Sequence, residues 1–334
     1  MSNPLRTALV VGCAFLLAWS LALLAPGLSD MVGLRIMDAQ FRLRYHLLGR
    51  QPVDPSVAHV DIDDASLTDL PETADTTELV ARALEVLARC EVSAVVLDMV
   101  FVQRGSSPGA RRLARAIGDA GNVYCPIVLR PLSAGATLSS AEPVPPQALW
   151  GPVSGAGGLD VPRAAAGFSS SSALLDAARG VGHINSSPDQ DGIYRRIPLL
   201  LRVPDGFVPS LALRTVCGYL GVSEDRLEVE GGRRILLRGA LYPDGRQRDI
   251  RVPVDRAGRL LLNIAGPWAD SFPHYPIARL LEAEGDETLL SELRDEMEGD
   301  LVVLSDVSSG GKDYGPVALE EYYPLSGLHA NAMS

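Results

Sequence analysis

Aspartates at the ends of two predicted strands are the residues whose type and spacing best allow chemistry. Asp61 and Asp63 lie two apart in VAHVDID (57–63), so both should project from one face of a strand. Asp98 follows the apolar run SAVVL (93–97). If the two strands are parallel neighbours, the carboxylates gather at the carboxyl edge of a sheet, where α/β proteins bind ligands. The alternative, which we expect, is that they cap loops and helices through backbone N–H groups.

Other motifs do not predict catalysis. The segment SSGGKD (308–313) follows a predicted strand but lacks the spacing of a phosphate loop. It also has Asp313 where Ser or Thr should ligate magnesium, so it is interpreted as a turn. None of the five histidines has metal-pair spacing, and His329 near a predicted helix start is expected to pack or hydrogen-bond. No nucleophile elbow or zinc-protease motif occurs in the sequence. We predict no enzyme activity, cofactor or metal.

Composition narrows the class of protein. The 334 residues are 47% hydrophobic and 21% charged, which is typical of a globular chain. A net charge of −11 without a basic run excludes nucleic-acid binding, which needs clustered Lys and Arg. The cysteines (Cys13, Cys90, Cys125 and Cys217) form no C-x-x-C pair; Cys13 lies in the apolar amino-terminal segment, and the other three are predicted to be buried thiols. A bridge between Cys90 and Cys125 is possible outside the cytoplasm but not indicated.

The amino-terminal segment 7–25 contains 19 residues without a charge. As a helix it spans about 28 Å, close to the hydrocarbon thickness of about 30 Å, and it is predicted to be a transmembrane helix. The alternative is a cleaved signal peptide, for which residues 22–25 offer a poor cleavage pattern. Arg6 precedes the segment and four arginines follow it, at 35, 42, 44 and 50. The arginine count alone therefore places the carboxyl-terminal side inside.

Hydrophobic periodicity predicts the elements that position these residues. After a helix over 31–48, strands at 57–63, 93–98 and 123–129 alternate with helices beginning at the capping box DTTE (75–78) and at 111. This β-α-β-α-β order indicates a parallel sheet. Residues 131–172 are rich in Pro, Gly, Ser and Ala without periodicity, and are predicted to be a long flexible surface excursion that is cut first by proteases.

The second half of the sequence favours antiparallel pairing. Asp191-Gly192 predicts a hairpin between 183–185 and 194–201. The remaining predicted elements are helices over 209–220 and 280–298, strands over 235–237, 249–254, 259–264 and 300–304, and a final helix over 328–334. The predicted fold class is α/β: a mixed sheet with a parallel N-terminal β-α-β-α-β part and antiparallel hairpins in the second half, preceded by one transmembrane helix.

An ordered series of short motifs carries a family resemblance. They are DAQFRLR (38–44), VDIDDASL (60–67), AVVLDMVF (94–101), GHIN (182–185), DQDGIYRRIPL (189–199), VPSLA (208–212), LNIAGP (262–267) and GLHAN (327–331). Together they resemble the CHASE domain of the second type, an extracellular sensory module attached to cyclases, histidine kinases and protein kinases. The chain departs from the family at PETAD (71–75), at Ser305-Asp306 in place of Ile-Gly, and at Asp313, which Thr-Pro does not follow.

The resemblance implies a layout and a function. Residues 1–6 would be cytoplasmic, 7–25 would span the membrane, and 26–334 would form an extracytoplasmic sensory domain. This domain would pass ligand or partner binding to a cytoplasmic cyclase, kinase or phosphatase domain outside this chain. The implied partners are a second copy, joined through membrane and juxtamembrane helices, and an unknown small ligand or extracytoplasmic protein. The candidate ligand-binding residues are Asp61, Asp63, Asp98, Asp313, His329 and Asn331. The alternatives are a membrane-tethered structural or assembly protein without a ligand, and an extracytoplasmic enzyme.

Overall fold

The computed structural model describes residues 11–13, 26–51, 53, 57–68, 75–102, 107–133, 142–311 and 313–334. Its helices are α1 (Pro26–Leu48), α2 (Asp64–Thr68), α3 (Thr76–Arg89), α4 (Pro108–Ala120), α5 (Ser172–Ala177), α6 (Leu211–Tyr219), α7 (Trp268–Ser271), α8 (Ile277–Ala283), α9 (Glu287–Met297) and α10 (Ser326–Met333). Short 3-10 helices cover Pro146–Ala148, Ala156–Gly158 and Glu224–Arg226.

The strands are β1 (Val57–Ile62), β2 (Ala94–Leu97), β3 (Val123–Pro131), β4 (Ala164–Ser169), β5 (Gly180–His183), β6 (Arg196–Pro198), β7 (Leu200–Val203), β8 (Gly206–Pro209), β9 (Leu227–Glu230), β10 (Arg234–Leu241), β11 (Gln247–Pro253), β12 (Arg259–Leu261), β13 (His274–Pro276), β14 (Leu301–Asp306), β15 (Tyr314–Gly315) and β16 (Tyr323–Pro324). They form one large sheet and several small antiparallel ones.

The central sheet has the strand order β13-β1-β14-β2-β3 with parallel pairing throughout. Strand β3 then pairs with parallel β5 along its first half and with antiparallel β4 along its second half. The predicted β-α-β-α-β order is present in β1, α3, β2, α4 and β3. The predicted neighbours β1 and β2 are separated, because β14 inserts between them.

Helices cover the two faces of the central sheet. On one face, alternate residues of β1 such as Ala58, Val60 and Ile62 join the apolar core with α3, α4, α8 and α9. On the other face, Val57, Val303 and other strand residues pack against residues of α6 and α10. Burial on both faces explains why the run LVVL (301–304) is wholly apolar.

A second apolar core lies beside this layer. It contains Trp150, residues of β9, β10 and α6, and also Val317 and Tyr323 from the segment before α10. The sheet β11-β10-β9 and the pairs β7-β8 and β6-β12 are antiparallel. Antiparallel pairing is therefore present in part of the second half, but β5, β13 and β14 from the same half pair in parallel in the central sheet. The α/β class with a mixed sheet agrees with the structure.

The predicted transmembrane helix requires correction. Of the segment 7–25, only residues 11–13 belong to the described residues. Across the part of the chain that the structure describes, no helix combines the length and the apolar composition needed to cross a membrane. The described helix before the sheet is α1, which carries Arg35, Asp38, Arg42 and Arg44. The prediction that a transmembrane helix precedes the sheet is wrong on this finding.

Two local predictions are also corrected. The Asp191-Gly192 turn forms, with Gly192 N–H donating to the Asp189 carbonyl at 2.9 Å, but its flanking segments do not pair as a hairpin. The strand before it, β5, joins the central sheet through β3, and β6 after it pairs with β12. The helix predicted over 280–298 breaks at Gly285, because the Asp286 carboxylate caps the amino end of α9.

The segment 131–172 is partly packed into the fold. Its residues 134–141 lie outside the described residues. Strand β4 (164–169) pairs with β3, and Trp150, Val153 and Ala156 are buried in the second core. The hydrophobic pattern did not predict this packing, because the segment is rich in small residues and contributes isolated apolar side chains rather than a periodic face.

Candidate functional site

A row of polar side chains crosses the carboxyl edge of the central sheet. Asp61 on β1 lies in register with Ser305 on β14. Asp98 follows β2 and donates its N–H to the Leu304 carbonyl at 2.9 Å, which places it beside Ser305. Alternation along the strands turns all three residues toward α10, the last helix of the chain. We call Asp61, Ser305 and Asp98 the edge row.

Atoms of the edge row lack partners. Asp61 Oδ1, Ser305 Oγ and Asp98 Oδ1 are buried, and the described residues give none of them a hydrogen bond. His329 Nδ1 on α10 is also buried and receives no hydrogen bond from the described residues. An unsatisfied buried polar group costs about 1–3 kcal/mol. The interface between α10 and the sheet is therefore energetically incomplete, which distinguishes it from the apolar packing around it.

The first end of the row is an acid–imidazole pair. His274 Nδ1 lies 2.7 Å from Asp61 Oδ2, and His274 Nε2 lies 2.9 Å from the Trp268 carbonyl oxygen. Because a carbonyl only accepts, Nε2 carries a proton, and a further proton must lie between Nδ1 and the carboxylate. Burial raises the pKa of Asp61 despite this contact. His59 stacks on the His274 ring at 4.9 Å, and burial holds the pKa of His59 well below 6.5.

The other end of the row joins a second group, formed by Asp98, His183, Asp313 and His329. His329 Nε2 lies 3.8 Å from Asp98 Oδ1, too far for a hydrogen bond, and the two side chains are only 6% and 3% exposed. Burial raises the pKa of Asp98 to about 7 and lowers that of His329 to about 4. Between these values both side chains are neutral.

The pKa values of the other two members shift in the same directions: that of His183 is lowered like that of His329, and that of Asp313 is raised like that of Asp98. Burial and the neighbouring His329 lower the pKa of His183 to about 3. Asp313 keeps solvent-exposed surface, yet desolvation of its carboxyl and the charge of Asp98 raise its pKa to about 6. We call Asp98, His183, Asp313 and His329 the acid–imidazole group. It can exchange protons, but across the described residues no set of three ligating side chains could hold a metal ion.

Two of the predicted site residues have structural contacts instead. Asp63 caps α2, since its Oδ1 accepts the Ser66 N–H at 2.8 Å. Asn331 Nδ2 donates to Tyr323 Oη at 2.9 Å and to the Gly327 carbonyl at 2.7 Å, and its Oδ1 accepts the Ala265 N–H at 2.9 Å. The structure brings Asp98, Asp313 and His329 together, and places Asp61 two strands away along the edge row.

Sequence reasoning missed Ser305, His183 and His274. Ser305 carried a usable signal, because it stands where the resembling family has isoleucine. A polar residue at the end of an otherwise apolar buried strand (LVVLS) points to a polar neighbour on the same face. The two histidines gave no such signal, since their partners lie far away along the chain.

Helix α1 is fixed to the domain by a buried ion cluster. Arg195 Nε and Nη2 donate to both oxygens of Asp38 on α1, at 2.7 and 2.6 Å. The same guanidinium also donates to Asp191 at 2.8 and 2.7 Å and to Asp189 at 3.2 Å. Arg196 donates to Asp189 at 2.6 Å. We call the Asp38–Arg195 pair the α1 latch; the Arg195 side chain is 2% exposed.

The fold and these buried groups describe a domain whose last helix packs on buried polar atoms that lack hydrogen bonds from the described residues. The family model of the CHASE2 domain matches residues 11–334, so the chain belongs to the CHASE2 domain family. This is a family of extracellular sensory domains of signalling receptors, and such domains are not catalytic themselves. No curated protein and no solved structure is similar enough to count as a match.

Proposed function

We propose that this chain is the extracytoplasmic input domain of one signalling receptor, whose output domain is a cytoplasmic cyclase, kinase or phosphatase. Binding of a small ligand or an extracytoplasmic protein would favour one arrangement of α10 on the sheet, and that bias would pass to the output domain. The observation that carries the proposal is the edge row, because it leaves the docking of α10 incomplete.

Incomplete docking suits a switching element. A packed apolar interface stabilises one arrangement of two elements strongly. Unsatisfied buried groups under α10 reduce the free-energy difference between its present position on the sheet and another position. Helix α10 also packs against α6, β14 and β1. A ligand that shifts any of these elements can therefore change the position of α10.

Contacts also connect the row to α1. Asp61 contacts His274, which contacts the Trp268 carbonyl, and the Trp268 N–H donates to Glu320 at 2.7 Å. On α1, Arg42 Nε donates to the Ala318 carbonyl at 2.8 Å. The segment around 318–320 thus touches α1 on one side and leads to α10 on the other, which supports coupling between the two helices.

The proposal is tested by completing the interface. Ser305→Ile replaces the orphaned hydroxyl by the residue that the family resemblance places there, so α10 should dock more firmly. Amide hydrogens of residues 326–333 should then exchange more slowly, and the output activity of the receptor in cells should shift away from its wild-type level. Ser291→Ile, on the exposed surface of α9, is the matched control. Slower exchange without any change in output would favour an assembly protein over a receptor.

We further propose that the partner includes a second copy of this chain. Val32, Ile36, Leu43 and Leu47 on α1 are 50%, 54%, 58% and 72% exposed. Their spacings of four, seven and four residues keep them on one helix face, opposite the α1 latch. An apolar stripe on one exposed helix face can be buried against the same stripe of a second α1, although its spacings do not follow the alternating three and four residues of a heptad seam.

A further inference from the structure

A cleft of about 300 Å³ opens at the amino ends of β3 and β5, at the sheet edge opposite the edge row. Its lining includes Tyr124, Trp150, Arg179, Arg214 and Glu224. None of these residues belongs to the edge row or to the acid–imidazole group. The cleft is therefore a separate place where a ligand could meet the domain.

The charges of the cleft are not balanced by ion pairs. Neither arginine forms an ion pair with a residue that the structure describes, although the Glu224 carboxylate lines the same cleft and interacts electrostatically with Arg214. Burial lowers the pKa of Arg214 most; the Glu224 carboxylate raises it in part, and the positive charge of Arg179 lowers it. Placing a half-buried guanidinium without a carboxylate partner is unfavourable, so the cleft attracts an anion.

Two glycines keep the arginine and the tyrosine in place. A Cβ at Gly180 would lie 2.7 Å from Arg214 Nε and 3.1 Å from the Tyr124 ring. A Cβ at Gly218 would overlap the Tyr124 hydroxyl. Neither glycine needs a positive φ, so the reason for glycine at these positions is space. Both make room for the polar groups of the cleft.

Further donors surround the same space. Arg214 Cζ lies 5.3 Å from the centre of the Trp150 ring, within the range of a cation–π contact. Trp150 is 2% exposed, and its Nε1–H is buried without a hydrogen-bond partner from the described residues. Tyr124 lines the same cleft as Arg179; burial raises the Tyr124 pKa most, and the positive charge of Arg179 lowers it in part. Guanidinium, indole and phenol donors with little acid among them form a receptor for oxygen anions.

We infer that this cleft binds a small oxyanion, a carboxylate or phosphate group, between Arg179 and Arg214, and that this anion is the input of the proposed sensory domain. The second half of the inference rests on the proposed function. Arg214 lies on α6, and α6 packs against α10 as well as against β2, β3 and β5. An anion that pulls Arg214 toward Arg179 therefore acts on the helix that supports α10.

The test measures anion binding to the complete chain. Inorganic phosphate and succinate are titrated separately by calorimetry, with chloride at matched ionic strength as the reference. Saturable binding of at least one oxyanion is expected, and the preferred probe distinguishes a phosphate from a carboxylate ligand. Arg214→Met keeps the packing on Trp150 but removes the charge, and should weaken binding at least tenfold. Arg115→Met, on the exposed surface of α4, should bind like the wild type.

Several outcomes would overturn the inference. Absence of saturable binding by the wild type, or equal binding by Arg214→Met, removes the site. If Arg214→Met does not fold, Arg179→Gln at the exposed position gives the same comparison. Binding that leaves amide exchange of α10 unchanged keeps the anion site but separates it from signalling. Conversely, an effect of Ser305→Ile on output without anion binding keeps the sensory function and rejects this ligand.

Discussion

At the scale of single residues, Asp98 is the most unusual group in the domain. Its side chain is 3% exposed, its Oδ1 lacks a hydrogen bond from the described residues, and His329 stays 3.8 Å away. Burial raises its pKa from 3.8 to about 7. The folded state therefore holds a proton that the unfolded chain releases, and this contribution to stability is complete below about pH 3.8 and is lost as pH rises through about 7.

Asp98→Asn should stabilise the protein relative to wild type increasingly as the pH rises. Asparagine keeps the shape but cannot ionise, so it avoids the cost of a buried carboxylate. Across the pH window between these two pKa values, the relative gain should reach on the order of 4 kcal/mol at most. Denaturant unfolding at acidic and at alkaline pH measures it, with Asp119→Asn on α4 as the exposed control. A pH-independent difference would show that Asp98 keeps an ordinary pKa in the folded protein.

The residues of the site were predictable only where the signal was local. Asp61 and Asp98 lie at strand ends, a local feature that places both at the carboxyl edge of the sheet, but the sequence did not show that β14 separates their strands. Asp63 performs the capping role that was expected for these aspartates. Ser305 was missed although its polar side chain ends an apolar buried strand, whereas His183 and His274 were missed because their roles depend on contacts between distant parts of the chain. No sequence periodicity encodes which distant histidine meets which carboxylate.

At the scale of elements, the α1 latch decides whether α1 moves with the domain. Asp38 is buried and gives both carboxylate oxygens to Arg195. Two other carboxylates, Asp189 and Asp191, remain on the same guanidinium when Asp38 is removed. The charge of Arg195 would therefore stay compensated, while the bidentate link to α1 would be lost.

Asp38→Asn should loosen α1 without unfolding the sheet. Loss of charge-assisted hydrogen bonds predicts a decrease of about 1.5–3 kcal/mol in the free energy of unfolding. Hydrogen exchange should quicken along α1, while the strands β1, β2 and β14 keep their protection. Arg35→Gln, an exposed change on the same helix, is the control and should leave exchange unaltered. Uniformly faster exchange in sheet and helix alike would mean that the latch supports the whole fold instead.

Element prediction succeeded for local order and failed for non-local order. Helix α3 was found because its cap is local: Asp75 accepts the Thr77 N–H at 3.0 Å. Helix α4 was predicted to begin at 111 but begins at Pro108, because the Ser107 cap, which accepts the Ala110 N–H at 3.1 Å, was not recognised. The position of β14 between β1 and β2 was not predictable, since β14 comes about two hundred residues later in the chain. That insertion puts Ser305 into the edge row.

At the scale of the whole molecule, the exposed stripe of α1 raises the question of what covers it. The latch side of α1 faces the domain, and the opposite side presents Val32, Ile36, Leu43 and Leu47 to solvent. Exposed apolar side chains on one helix face cost free energy in a monomer and become buried between two parallel or antiparallel copies. The acidic net charge of −11 opposes association over the remaining surface, so the contact should be confined to this helix.

The chain should therefore associate into a dimer as its concentration rises, as measured by sedimentation velocity. The double change Ile36→Glu and Leu43→Glu puts charges into the exposed stripe of both copies. The variant should stay a monomer at all concentrations tested. Phe168→Glu is the matched control: Phe168 is 67% exposed but lies on β4, away from α1. This control should still dimerise.

A wild-type chain that stays monomeric, or a dimer that survives both glutamates, would show that another surface or another partner covers the stripe. Because the glutamates are exposed in the monomer, the free energy of unfolding of a monomeric variant should stay within about 0.5 kcal/mol of wild type, which separates lost association from lost folding.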